Sequence, residues 1–216
     1  MSNKSTPLYP RPKPPKRPTQ SRAKATVQAI FDTYVRIWQR DGWERLTTRA
    51  IALEAGVAVG TLYDYFPSKQ ALHSGYVRHC IEALLQVIEQ RAVQPQDLTW
   101  EQRVSRLVRL LCGAEGASSW FHPDMLELEP MVAEQKHQRR AYDELLSAWR
   151  RVFQAATDLP AQPSDSTLEA LHLAVWGGRR YAMLVQLDAA AMLAWASQME
   201  SFCHAAISSA VATHDS

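Results

Sequence analysis

The sequence predicts an all-α fold, and three observations carry that expectation. From Ser21 onward apolar residues recur at three- and four-residue intervals, the period of a helix with one buried face. Pro67, Pro95, Pro123, Pro160 and Pro163 fall between such stretches and interrupt them. No alternation of apolar and polar residues suggests a strand, and no internal repeat of fixed period occurs. The expected architecture is an N-terminal three-helix domain containing a helix-turn-helix, residues 21–67, followed by a larger helical domain, residues 68–216.

Residues 1–20 precede the helices. Residues 1–19, "MSNKSTPLYPRPKPPKRPT", hold six of the 12 prolines. Proline fixes φ and removes an amide donor, so neither helix nor sheet is expected there. The segment reads as a disordered basic arm, either a solvated tail or an arm resting on nucleic-acid phosphates. Charge supports that division. Lys4, Arg11, Lys13, Lys16, Arg17, Arg22 and Lys24 precede the first acid, Asp32. Removing these seven from the 24 cations leaves 17 against 22 acids, so a net +2 hides a basic head on a body near −5. Such asymmetry points to an anionic partner for the head.

Val27, Ile30, Phe31, Tyr34, Val35 and Trp38 form the apolar face of the first helix, and Asp41-Gly42 is its expected end. Thr47 or Thr48 caps a short second helix, "TRAIALEA", which Gly56 breaks. A third helix covers about 59–65 and stops at Pro67, which pushes its predecessor out of the helical region. Ser68 caps a long fourth helix to about Arg91. Helices are then expected over about 99–118, 122–133, 136–157, 165–187 and 189–212.

Helix, short turn, helix is the geometry that sets a recognition helix in a DNA major groove. Here Ala52 is small where the two short helices cross, and Gly56 sits where the turn wants positive φ. Ile51, Ala55, Val57 and Leu62 face inward with Phe31 and Leu46. That leaves Thr48, Arg49, Val59, Gly60, Thr61, Tyr63, Asp64 and Tyr65 outward or along the edge, several of them suited to phosphates and base edges. Lys69 follows its cap in a first turn where the helix dipole disfavours a cation. A phosphate bound there would reverse that preference; a freely solvated lysine is the plainer alternative.

The stretch "LTTRAIALEAGVAVGTLYDYFPSKQAL" closely resembles the DNA-binding module of the tetracycline-repressor-like (TetR) family of bacterial transcription regulators, over about residues 21–75. The resemblance implies all-α homodimers that bind operator DNA with their first three helices. It also implies a variable helical domain that binds a small-molecule effector and dimerises. By the same resemblance, Thr48 meets a phosphate and Arg49 a guanine edge or phosphate. Gly60 and Thr61 open the recognition helix, Tyr63 and Tyr65 touch phosphates or thymine methyls, and Lys69 clamps a phosphate. Val59 offers only an apolar contact where many members are polar or basic, and Asp64 is an anion near DNA. Both leave the operator sequence open.

In the remaining chain, one apolar row runs through Leu168, Leu171, Val175, Gly178, Ala182 and Val185, another through Met192, Trp195, Met199, Phe202 and Ala206. Two such helices joined by a short turn suit a four-helix bundle with a symmetry mate, or burial inside one subunit. Arg179-Arg180 are candidates to pair with acids across that interface. Aromatics and methionines gather in the middle of the chain. Trp120, Phe121, His122, Met125, Trp149, Phe153, His172 and Trp176 are the residues expected to line an effector pocket, with Met131 and Met183 in the same apolar set and Glu127 and Tyr181 as further polar groups. "WFHPDM" is the candidate gate. A hydrophobic or cationic effector is expected.

Other classes find little support. No H-E-x-x-H, cysteine pair or glycine-rich phosphate loop occurs, so neither enzyme, metal site nor cofactor is expected. Cys80, Cys112 and Cys203 are widely spaced and read as free thiols of a reducing cytoplasm. No apolar run is long enough for a bilayer, and a soluble cytoplasmic regulator follows. The expected function is a repressor releasing a pseudo-palindromic operator on binding its effector; the alternative is an activator, or a DNA-binding protein without an effector.

Overall fold

The computed structural model describes residues 21–115 and 121–212, the side chains of Pro130, Met131 and Ala212 apart. The basic arm, Trp120 and the expected tail of the fifth helix over 116–118 therefore lie outside the described residues. Among the described residues the chain is entirely helical, as its periodicity predicts. It divides into two compact units, and the division falls after Gly75.

The first unit holds α1 (Ser21–Arg45), α2 (Thr48–Glu54), α3 (Val59–Tyr65) and the start of α4 (Lys69–Ile88). Gly42 has φ 74° and interrupts α1 where Asp41-Gly42 is the expected stop; Trp43 to Arg45 follow as a further half turn. Ile30, Phe31, Tyr34, Ile37 and Trp38 of α1 are buried with Leu46, Ile51, Ala52, Leu62, Phe66 and Leu72. The Phe31 and Phe66 rings meet at 5.4 Å, and the Tyr34 hydroxyl is hydrogen-bonded to His73 Nδ1 at 2.7 Å inside the same core. Ala55 and Val57, expected inside, are half-buried at the turn.

In the second unit α4 passes into a π-helical turn, Glu89–Val93. Then come α5 (Trp100–Cys112), the short turns α6 (Asp124–Glu127) and α7 (Glu129–Val132), α8 (Gln135–Gln154), and α9 (Asp165–His172). A second π-turn, Leu173–Gly177, links α9 to α10 (Gly178–Leu184), and α11 (Ala189–Ala212) closes the chain. Local chemistry explains most ends. Thr99 and Gln102 form a reciprocal capping box on α5, and Gly113 ends it in the left-handed region at φ 75°. The expected helix 99–118 is thus shorter, because glycine ends it first. Ser164 caps α9 and Asp188 caps α11.

Arg103 is buried and donates to the carbonyls of Ala92, Val93 and Pro95, satisfying the free end of the π-turn after α4. The core around it is made by Leu84 and Ile88 of α4, Val104, Leu107 and Leu111 of α5, Trp149 and Phe153 of α8, Leu168 and Leu171 of α9, and Cys203 and Ile207 of α11. Glu144 of α8 is held by Arg78 of α4, with one of two contacts at 3.0 Å, and by Arg140 at 2.9 Å. Arg78 foremost keeps the Glu144 carboxyl below the usual carboxylate range.

Candidate functional site

The Thr47 side chain accepts from the Ala50 amide and starts α2. The turn then follows from three features. The Ala55 amide donates back to the Ile51 carbonyl, Gly56 takes φ 69°, and the Val57 amide reaches the Ala52 carbonyl at 2.9 Å. An L side chain at Gly56 meets no steric obstacle, so backbone conformation alone asks for glycine. α3 begins after Ala58, which supplies no side-chain cap, and is pinned by the fully buried Leu62.

These elements bring one polar edge together. The hydroxyls of Thr48 on α2 and Tyr63 on α3 are hydrogen-bonded at 3.0 Å, although 15 residues separate them. Tyr63 keeps 47% of its surface exposed. Arg49, Val59, Gly60 and Asp64 are exposed, and Thr48, Thr61 and Tyr65 are half-buried. The one acid of α2, Glu54, is met by Arg36 at 3.4 Å and Arg40 at 3.1 Å. Those hydrogen-bonded carboxylates, Asp41 first and then Glu54, raise the Arg40 pKa.

Lys69 sits differently from a solvated side chain. Its ammonium donates to the Trp43 carbonyl and lies 3.9 Å from the centre of the Trp43 ring. Burial lowers its pKa, with Glu44 opposing the shift. Sequence reasoning left Trp43 out of the site; an aromatic directly after the Asp-Gly stop was its only signal.

In the second unit a cavity of about 300 Å³ is lined by α4, α5, α8 and α10 with the π-turn before it and the segment at Phe121. Of the residues expected there, Phe121, Trp176 and Met183 line it. The others whose side chains are described do not. Trp149 and Phe153 stack at 6.4 Å in the core, because α8 turns that face toward α5. Met125 is fully buried, while His122 lies outward beside Asp124 at 3.3 Å. His172 is fully buried against the Tyr142 ring at 5.0 Å, with both nitrogens unpartnered, and burial lowers its pKa to about 4. Glu127 is exposed, and Tyr181 is 69% exposed. Tyr142, Arg179 and Arg180 line the cavity as well; Arg180 reaches Glu129 within the chain. Because that acid is engaged, the walls offer no free carboxylate for a cation among the described residues.

Of the two uses expected of the first apolar row, burial inside one subunit accounts for most of its members. Leu168, Leu171, Val175 and Ala182 are buried within the chain. The exposed apolar residues of this region are Leu173, Tyr181, Leu184, Val185, Leu187, Leu193 and Phe202. Among the described residues no three His, Cys, Asp or Glu side chains are placed to hold a metal, no disulfide joins the three cysteines, and no helix is long and apolar enough to cross a membrane.

Comparison with known proteins adds the family. The sequence profile described as bacterial regulatory proteins, tetR family, matches residues 30–74. A stretch of 40 residues is 52% identical to the HTH-type transcriptional repressor KstR of Mycolicibacterium smegmatis, covering 18% of this chain and 20% of that protein. Another of 83 residues is 32% identical to the nucleoid occlusion factor SlmA of Actinobacillus pleuropneumoniae, covering 38% of this chain and 36% of that protein. The chain thus spans about a third of that curated relative's length, and a fifth of the other's. In fold the likeness is broader. A TetR-family regulator structure from Mesorhizobium loti superposes with TM-score 0.60 at 15% identity, over 90% of this chain and 98% of that one. FadR from Bacillus subtilis, in complex with stearoyl-CoA, does so with TM-score 0.57 at 12% identity, over 82% and 96%.

Proposed function

We propose, for a chain that belongs to the TetR family of bacterial regulators, a repressor that holds a pseudo-palindromic operator as a homodimer and releases it when a small apolar effector fills the cavity. The observation that carries the DNA reading is the exposed α2–α3 edge joined by the Thr48–Tyr63 hydrogen bond. A hydroxyl pair fixed in this way presents two oriented groups to a phosphate, with Arg49, Gly60 and Thr61 beside it for phosphate or base edges. Lys69 contributes by holding the start of α4 to Trp43, and its ammonium has further N–H donors to offer a phosphate. Tyr65, half-buried, adds apolar contact at the edge with Val59.

The exposed apolar residues of α10 and α11 support the homodimer, since two copies would bury them against each other. Two recognition helices would then enter successive major grooves about 34–36 Å apart, or a multiple of that. The apolar cavity supports an effector, and FadR of the same fold holds stearoyl-CoA. An effector that fits the DNA-free state better shifts the population toward it.

The test is retention of a duplex from the region upstream of the protein's own gene. Wild type is expected to retain it, with log affinity falling steeply as log salt rises. Tyr63→Ala is expected to lose retention while its circular dichroism stays that of wild type. Equal retention by that variant would overturn the assignment of this edge.

A further inference from the structure

The cavity's walls differ in charge from what an apolar pocket needs, and this inference rests on reading that cavity as the effector site. Arg179 is the second residue of α10, directly after the π-turn that sets Trp176 on the same wall. Such turns interrupt helices mostly at functional positions. The Arg179 guanidinium lies 5.2 Å from the centre of the Trp176 ring. Gly113, glycine for its left-handed backbone at φ 75°, lies beside it, and a Cβ there would stand in ordinary contact at 3.5 Å from the guanidinium.

Two arginines share this wall, and only one is matched. Arg180 is paired with Glu129. Arg179 pairs with no carboxylate among the described residues. The groups whose negative charge would help it are the thiols of Cys112 and Cys80, in that order. Cys112 is pushed up to about 12 by burial, so it stays a neutral thiol at physiological pH. Burial also works against the guanidinium itself and lowers its pKa. An arginine does not give up its proton in a protein. A full positive charge therefore faces a cavity whose walls, apart from Cys80, Gln138, Tyr142 and the Arg180–Glu129 pair, are apolar, with Val77, Ile81, Leu84, Leu110 and Met183 among them. Keeping a charge in such surroundings is costly unless an anion joins it.

We propose that the effector is an apolar monocarboxylate whose acid group pairs with the Arg179 guanidinium, held in place by the Trp176 ring, while its apolar body fills the cavity. A planar guanidinium suits this pairing because it donates two parallel hydrogen bonds to a carboxylate. At about 30 Å³ per water the cavity equals roughly ten waters, room for a body of medium chain length.

The experiment is calorimetric titration of the full chain with decanoate, 1-decanol and decylamine, each below its micellar concentration. Decanoate is expected to bind about tenfold or more tighter than either analogue, and Arg179→Met to lose that preference. Arg179→Lys is expected to keep part of it, since charge remains but the planar fork does not. Should Arg179→Met fail to fold, the ranking of the three probes on wild type still decides. Decanol binding as tightly as decanoate, or decylamine binding best, would overturn the counter-ion role while leaving an apolar effector cavity. Binding of none of the three would overturn both this proposal and the effector reading. Duplex retention by the same preparation separates that outcome from failure of the DNA assignment.

Discussion

Lys69, Tyr63 and His172 show three ways in which a side chain's surroundings decide its role. Lys69 stands where an external phosphate would be welcome, yet Trp43 supplies a carbonyl and a ring face. Tyr63 remains half in water and is oriented by Thr48. His172 is sealed with both ring nitrogens unmatched, so its protonation opposes the fold. Its ordinary value of 6.5 falls to about 4 on folding. Above pH 6.5 the ring is neutral in both states and stability is unaffected. Between 6.5 and about 4 the unfolded chain binds the proton more readily, so stability declines as pH falls, by at most about 1.4 kcal/mol per pH unit. Urea unfolding across that range should show a steeper loss for wild type than for His172→Leu; parallel curves would sink this account. At this scale the exposed α2–α3 edge was legible, because residue types and a fixed spacing specify it. The cavity lining was not. Trp149 and Phe153 are as aromatic as Trp176, and only the rotation of α8 decides which face meets α5.

Helices were legible where their ends carry their own chemistry. Thr47, Thr99, Ser164 and Asp188 accept from backbone amides that would otherwise be unmatched, and each marks a start visible in the sequence. Interruptions inside a helix left no such mark. The π-turn Leu173–Gly177 adds a residue to an otherwise periodic stretch, which is why the row from Leu168 to Ala182 turns inward while Leu173 and Tyr181 face out. The expected helix 122–133 likewise breaks into α6 and α7 around Leu128. At the turn between α2 and α3 a single angle is decisive. Gly56→Ala meets no clash, so its cost should be the left-handed backbone alone, about 1 kcal/mol. Thermal melts should show that loss together with weakened duplex binding. A gain in stability would mean the turn adopts another conformation.

For the molecule as a whole, the apolar surface on α10 and α11 is where the proposed dimer would form. Phe202, half exposed, and Tyr181 are left uncovered among the described residues. The double variant Tyr181→Glu with Phe202→Glu should sediment as a monomer and lose the tight duplex complex, because one reading head keeps only half the contacts. Sedimentation of the wild type as a monomer at micromolar concentration would sink the proposed dimer. An all-helical plan was legible throughout, since periodicity and turn chemistry specify it; which apolar residues stay exposed depends on packing that no local pattern encodes. Arg103 carries one last implication. The tie it makes between α5 and the end of α4 ends on backbone carbonyls, which hold no exchangeable proton, and not on a carboxylate. Acidification therefore loosens this molecule unevenly, reaching the neighbourhood of the sealed imidazole while the arginine-tied joint stays fastened.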